Sequence, residues 1–188
     1  MGFDSQSFTL ASAEGWSAQL RDDAAAGAVT ALYQANALGL VRLAHLLIGD
    51  RGVAEDIVQD AFSSLYWRWE QLRDQSKALP YVRSIVLNSC RSVLRRAGPA
   101  ELFAADMPDF ALVLASAEAV VLSEEQRRAV MTALRGLPSR QREVLVLRFY
   151  LELSETEIAA QMGIGKSTVR SAQHRALVAL GRMLKEAS

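Results

Sequence analysis

Cysteine, histidine and proline are scarce in this chain, with one Cys, two His and four Pro in 188 residues. The lone Cys90 rules out an internal disulfide framework and any zinc cluster built from cysteines. His45 and His174 lie far apart, and His45 has no second ligand-type residue at metal spacing, so it reads as a core or surface filler. No nucleophile–base pair emerges from so few candidates. Gly163-Ile164-Gly165-Lys166-Ser167 superficially resembles a phosphate loop, but it lacks the spacing and the preceding strand. An enzyme is therefore not expected, nor a cofactor or a metal. Strand-like alternation is missing throughout, so the fold is expected to be all-α. No unbroken run of 18 or more apolar residues marks a membrane span. The start, Met1 to Trp16, has neither a basic segment nor a continuous apolar one, so no secretory leader is expected. These absences point to a soluble cytoplasmic protein with no membrane contact of its own.

Net charge is also lacking: 21 Lys and Arg balance 21 Asp and Glu. The distribution is uneven, however. Four Arg and no acid fall between Pro80 and Arg96, then six acids and no Lys or Arg between Ala97 and Gln126. From Lys166 to Lys185 there are five Lys or Arg and again no acid. Basic, acidic and basic blocks in that order suit two separate DNA-facing units with an acidic connector.

The most informative stretch is Ser154 to Leu180, SETEIAAQMGIGKSTVRSAQHRALVAL. Ser154 is a natural N-cap, and Glu157 completes a capping box, each satisfying an N–H at the helix start. Gly163 stops that first helix as the residue that takes φ > 0 without cost. The second helix has apolar positions at Val169, Ala172, Ala176, Leu177 and Leu180. Lys166, Ser167, Thr168, Arg170, Ser171, Gln173, His174 and Arg175 fall largely on its other face. Such a face offers donors to phosphates and base edges, as a recognition helix must. A capped helical hairpin with a solvated face gives a similar pattern. The absence of acid and the short hydroxyls at the helix start favour the helix-turn-helix.

Taken in order, residues 1–24 read as a mostly disordered extension rich in Ala, Ser and Gly. A helix is expected from about Ala24 to Ile48, ended by Gly49, and another from about Gly52 to Trp69 with Asp50 as cap. The outer face of the latter carries Glu55, Asp56, Gln59, Asp60 and Ser63, which from pattern alone is an ordinary solvated face. Gln71 to Ala78 reads as irregular, and Pro80 as the first residue of a third helix. There Val82, Ile85, Val86, Ser89, Cys90, Val93 and Leu94 face inward, while Ser84, Asn88, Arg91, Arg95 and Arg96 share an outward face. That outward face suits a phosphate backbone or a plain solvated surface equally. The expected domains are 25–97, an acidic linker over 98–122, and a four-helix unit over 123–188 opening near Ser123.

Two blocks carry a family resemblance: AEDIVQDAFSSLYWRW with LPYVRSIVLNSCRSVLRR, and LPSRQREVLVLRFYLELSETEIAAQMGIGKSTVRSAQHRALVAL. In this order the chain resembles an extracytoplasmic-function (group IV) sigma factor of bacterial RNA polymerase. The resemblance implies two helical domains, one like sigma region 2 and one with the helix-turn-helix. It implies that Glu55, Asp56, Gln59 and Asp60 dock on core polymerase at the β′ clamp helices, with β also a partner. The loop Gln71 to Ala78 would capture an unstacked base of the −10 element. Ser84, Asn88, Arg91, Arg95 and Arg96 would hold the same strand, with strong salt dependence. Lys166, Ser167, Thr168, Arg170, Ser171, His174 and Arg175 would contact the −35 element of promoter DNA, Arg170 foremost. An anti-sigma factor is the further partner implied. The pattern departs from the family at Ala172-Gln173, where a basic and an apolar residue are usual, so −35 preference does not carry over.

A helix-turn-helix regulator of the response-regulator output type shares the Arg-Glu-Val-Leu and Glu-Ile-Ala pattern. It would need the N-terminal helices as a signal-receiving module, and a strand–helix receiver is excluded by pattern. A small dimeric repressor that binds promoters without polymerase is the form left to it.

Overall fold

The computed structural model describes the backbone of residues 5–96 and 124–186, with side chains over 23–96 and 125–186 apart from Arg127. The described residues form seven α-helices and no strand, in the order α1 (Ser5–Ile48), α2 (Arg51–Arg68), α3 (Ala78–Arg96), α4 (Glu124–Arg135), α5 (Ser139–Phe149), α6 (Glu155–Met162) and α7 (Lys166–Glu186). The all-α expectation holds. The connector over 98–122 and the Ser123 cap lie outside the described residues.

α1 begins at Ser5, not near Ala24, so the extension expected over 1–24 becomes helix from Ser5 onward. The stretch holds no Pro and several Ala, which favour helix once a packed segment follows. Part of α1, Asp23–Ile48, is long and apolar enough to cross a membrane, which a search for unbroken apolar runs overlooks. Here its C-terminal part packs into the core, while residues 30–39 are exposed or half-buried. Arg42 and His45 interrupt it, while Leu40, Leu43, Ala44, Leu47 and Ile48 are buried against α2, α3 and α5.

Local signals set most boundaries. Gly49 ends α1 at φ 88°, and Asp50 caps α2 by accepting from the Val53 N–H at 2.9 Å. α3 starts two residues before Pro80, correcting its expected N1 position. The cause is Asp74, whose side chain accepts from the Ser76 N–H at 3.0 Å and hydroxyl at 2.6 Å, closing a 3₁₀ turn over Gln75–Lys77 that feeds straight into α3. Asp74 is held below the usual carboxylate range by those bonds. Gln71 to Ala78 is thus shaped rather than irregular.

α1, α2 and α3 pack around Leu43, Ile48, Val58, Leu65, Val82, Val86, Leu87 and Cys90, all but inaccessible to solvent. Each such side chain contributes about 1.5–3 kcal/mol by burial. Tyr33 meets Phe62 edge-on at 5.0 Å between ring centres. Leu87 joins this core although it was not expected there, and Ile85, Ser89, Val93 and Leu94 are only half-buried. α4 to α7 form the second bundle around Val144, Leu147, Ile158 and Val169. Its far end is closed by Leu137, Leu145 and Ala176, with Leu134, Leu180 and Met183 against them. Leu177 is a correction: it is exposed, one step off the buried stripe of Val169, Ala172 and Ala176.

The two bundles are not held apart. α5 packs on α1, and one continuous apolar core runs through both. The Tyr150 hydroxyl donates to the Gly39 carbonyl at 2.9 Å, and Arg135 Nη2 reaches the Gly49 carbonyl at 3.4 Å.

Candidate nucleic-acid interface

The residues expected to make contacts lie on three surfaces. On α2, Asp56, Gln59 and Asp60 are exposed, and half-exposed Glu55 pairs with Arg51 at 2.7 Å. Beside them runs an open groove of about 590 Å³ between α1 and α2, lined in part by Val29, Tyr33, Gln59, Phe62 and Tyr66, and ending at Trp67, 79% exposed. Sequence reasoning passed over Trp67 because periodicity alone places it on neither face.

On α3 the expected row is divided. Asn88, Arg95 and Arg96 are exposed, whereas Ser84 and Arg91 are half-buried. Arg91 turns toward the second bundle: its Nε donates to Glu143 Oε1 at 2.8 Å, its Nη2 to the Gln161 carbonyl at 3.1 Å, and its Nη1 to Asn88 Oδ1 at 2.9 Å. Gln161 Nε2 also reaches Ser84 Oγ at 3.4 Å. Arg96 Nε donates to the Ser92 carbonyl of its own helix at 3.3 Å, so four of the five expected strand-holding residues are engaged within the chain. Glu143 lies in a nearly buried position on α5 and was not singled out from sequence, since nothing local links it to Arg91 52 residues away. Cys90 sits beneath this contact. Burial first, and the Glu143 carboxylate second, push its thiol pKa up to about 12, so it is a buried hydrophobe as expected and not a nucleophile.

On α7 the structure brings all seven expected residues together. Lys166, Ser167, Thr168, Arg170, Ser171, His174 and Arg175 are exposed along its first three turns, while Val169, Ala172 and Ala176 are buried. Ser154 and Glu157 make the capping box reciprocally, and Gly163 adopts φ 64°, ψ 36°. The Ile164 N–H then bonds back to the Ala159 carbonyl at 3.0 Å, which fixes the angle at which α7 leaves α6. Arg170 is paired with Glu155, the first residue of α6, at 2.9 Å. The pairing raises the Arg170 pKa and lowers that of Glu155.

An all-α chain with a capped helix-turn-helix and a reading helix that is basic and free of acid from Lys166 to Lys185 is a DNA-recognition protein by architecture. Residues 32–99 match the sigma-70 region 2 family and residues 122–180 match sigma-70 region 4. The RNA polymerase sigma-E factor of Streptomyces coelicolor is 33% identical over 141 residues, covering 75% of this chain and 77% of that one. The probable ECF RNA polymerase sigma factor SigI of Mycobacterium tuberculosis is 35% identical over 152 residues, covering 79% of this chain and 52% of that one. Among solved structures, CnrH in complex with the cytosolic domain of CnrY superposes with a TM-score of 0.60 at 21% identity, covering 89% of this chain and 98% of that one. The sigma factor RpoE of Bartonella quintana, with the anti-sigma factor NepR, gives 0.59 at 24%, covering 82% and 96%. The chain belongs to the extracytoplasmic-function sigma factors of the sigma-70 family, and it is an alternative sigma factor that directs transcription initiation. The region 2 match accounts for the N-terminal helices, which leaves the regulator reading without its receiving module.

Proposed function

We propose a division of labour among the three surfaces. The exposed acids of α2, with Gln59 and the adjoining aromatic groove, dock on core RNA polymerase at the β′ clamp helices. The shaped segment from Gln71 to Ala78 and the α3 row from Ser84 to Arg96 take the non-template strand of the −10 element. α7 lies in the major groove of the −35 element, with Arg170 at its centre. The chain supplies recognition and the polymerase supplies the chemistry. The observation that carries this reading is the α7 face, where seven donors stand exposed over a buried stripe of small residues. An anti-sigma factor is the regulatory partner in this reading, which the solved complex of the sigma factor RpoE with the anti-sigma factor NepR supports.

Run-off transcription with purified core polymerase tests the whole. With this protein added, discrete new starts appear on a promoter pool. Asp56→Ala combined with Asp60→Ala lowers core binding at least tenfold and leaves the fold intact by circular dichroism. Arg170→Ala spares core binding and costs about 1–3 kcal/mol at the −35 element. Loss of folding stability alone in both variants would refute the assignment of these sites.

A further inference from the structure

The Arg170–Glu155 contact has a defined shape. Arg170 Nε donates to Glu155 Oε1 at 3.3 Å and Nη2 donates to Oε2 at 2.9 Å, two parallel bonds on one edge of the guanidinium. A planar guanidinium carries five N–H donors arranged as two forks. With the Nε/Nη2 edge taken, the Nη1/Nη2 edge keeps a hydrogen on Nη2 and two on Nη1. That edge suits the bidentate bond to O6 and N7 of a guanine. Glu155 is itself set in position by the helix start: it stands directly after the Ser154 cap, with its side chain only one-third exposed. The hydrogen bond from Arg170 first, and then the charges of Arg170, Arg148 and Lys166, hold its carboxyl below the ordinary range.

Charge argues the same way. A bare arginine on a DNA-facing helix is drawn to the nearest phosphate, which strengthens binding to any sequence and steepens its salt dependence. A carboxylate on one edge offsets part of that attraction. It leaves the directional donors that tell one base from another.

We infer that Glu155 is a specificity-determining positioning residue: it clamps one edge of Arg170 so that the other edge reads a base of the −35 element instead of settling on a phosphate. This rests on the reading of α7 as the −35 helix.

The test uses holoenzyme assembled from the full chain and core polymerase, on promoter duplexes randomised through the −35 element, with sequencing of the bound fraction. In the unchanged protein one position shows a preference that Arg170→Ala abolishes. Glu155→Gln and Glu155→Ala should flatten that same position by roughly five- to hundredfold. They should also make the salt slope of binding steeper by about one. Glu155→Ala added to Arg170→Ala should change nothing more. A position that depends on Arg170 yet keeps its preference in both Glu155 variants would overturn the inference and leave the −35 reading standing. If Arg170→Ala leaves every position unchanged, the −35 reading of Arg170 falls and the inference falls with it. Circular dichroism melts of the Glu155 variants separate a lost clamp from a lost fold.

Discussion

At position 45 the chain buries an imidazole at 3% exposure with no hydrogen-bond partner on either ring nitrogen. Burial first, and the neighbouring Arg135 guanidinium second, lower its pKa below 6.5; the Asp50 backbone and carboxylate pull the other way without closing a hydrogen bond to the ring. The buried ring is therefore neutral. Below pH 6.5 the unfolded chain takes up a proton that the folded chain refuses, so this residue favours folding above pH 6.5 and loses that contribution as the pH falls through the window beneath it. The melting temperature should drop between pH 7.5 and pH 5, and His45→Leu should reduce the drop. At pH 7.5 the variant should be no less stable, since a buried polar atom without a partner costs about 1–3 kcal/mol. Equal pH slopes in the two proteins would show that the ring takes up its proton without leaving the core. From sequence, His45 was legible as a filler because no ligand stood near it. Its burial next to Arg135 was not, because that neighbour comes from α4 across the chain.

Among the elements, the turn between α6 and α7 was the most legible. Its signals are local: a Ser cap, a Glu three residues on, and glycine where φ must be positive. The two glycines differ, however. Gly163 takes φ 64° with nothing within 4 Å of where a Cβ would sit, so the penalty for a side chain is backbone strain alone. Gly165 has no positive φ, and a Cβ there meets only Ser167 Oγ at 3.8 Å and Thr168 Oγ1 at 3.9 Å. Gly163→Ala should cost about 1–2 kcal/mol by urea denaturation. Gly165→Ala should be neutral or stabilise by up to about 1 kcal/mol through the unfolded chain. Equal costs at both positions would contradict this separation. The start of α3 was less legible, since Pro80 marks a first turn equally well at N1 or two residues further in. The Asp74–Ser76 contact that decides between them is a side-chain geometry, not a pattern.

For the whole molecule, the surfaces and their separation make conflicting demands. The −10 and −35 elements lie 25 base pairs apart by name, on the order of 85 Å of B-form DNA at about 3.4 Å per pair. Yet Arg91 of α3 bonds to the carbonyl of Gln161, five residues before α7 begins at Lys166, and both bundles share one core. On the proposed assignment of α3 to the −10 element and α7 to the −35 element, this closed form holds the two surfaces too near for that span, and it engages Ser84, Asn88 and Arg91 within the chain. None of this was legible in sequence, because a two-domain pattern with an acidic connector fixes the bundles and leaves their docking open. The contact that holds them is partly polar: Arg91 with Glu143, Gln161 with Ser84, Tyr150 with Gly39. Polar links of this kind yield to a partner more readily than an apolar seam does. Glu143→Gln removes the charge that Arg91 answers, and Tyr150→Phe removes the bond to Gly39. Spin labels at Ser63→Cys and Arg182→Cys, both exposed positions, report the distance between bundles, since buried Cys90 stays unlabelled. With Glu143→Gln and Tyr150→Phe together the distance distribution should broaden and lengthen, and free protein should bind single-stranded −10 DNA more tightly through the released Arg91. An unchanged distribution with a lower melting temperature would assign these bonds to stability alone. The shared apolar core would then be what keeps the chain closed, and opening would require polymerase to compete for that core directly.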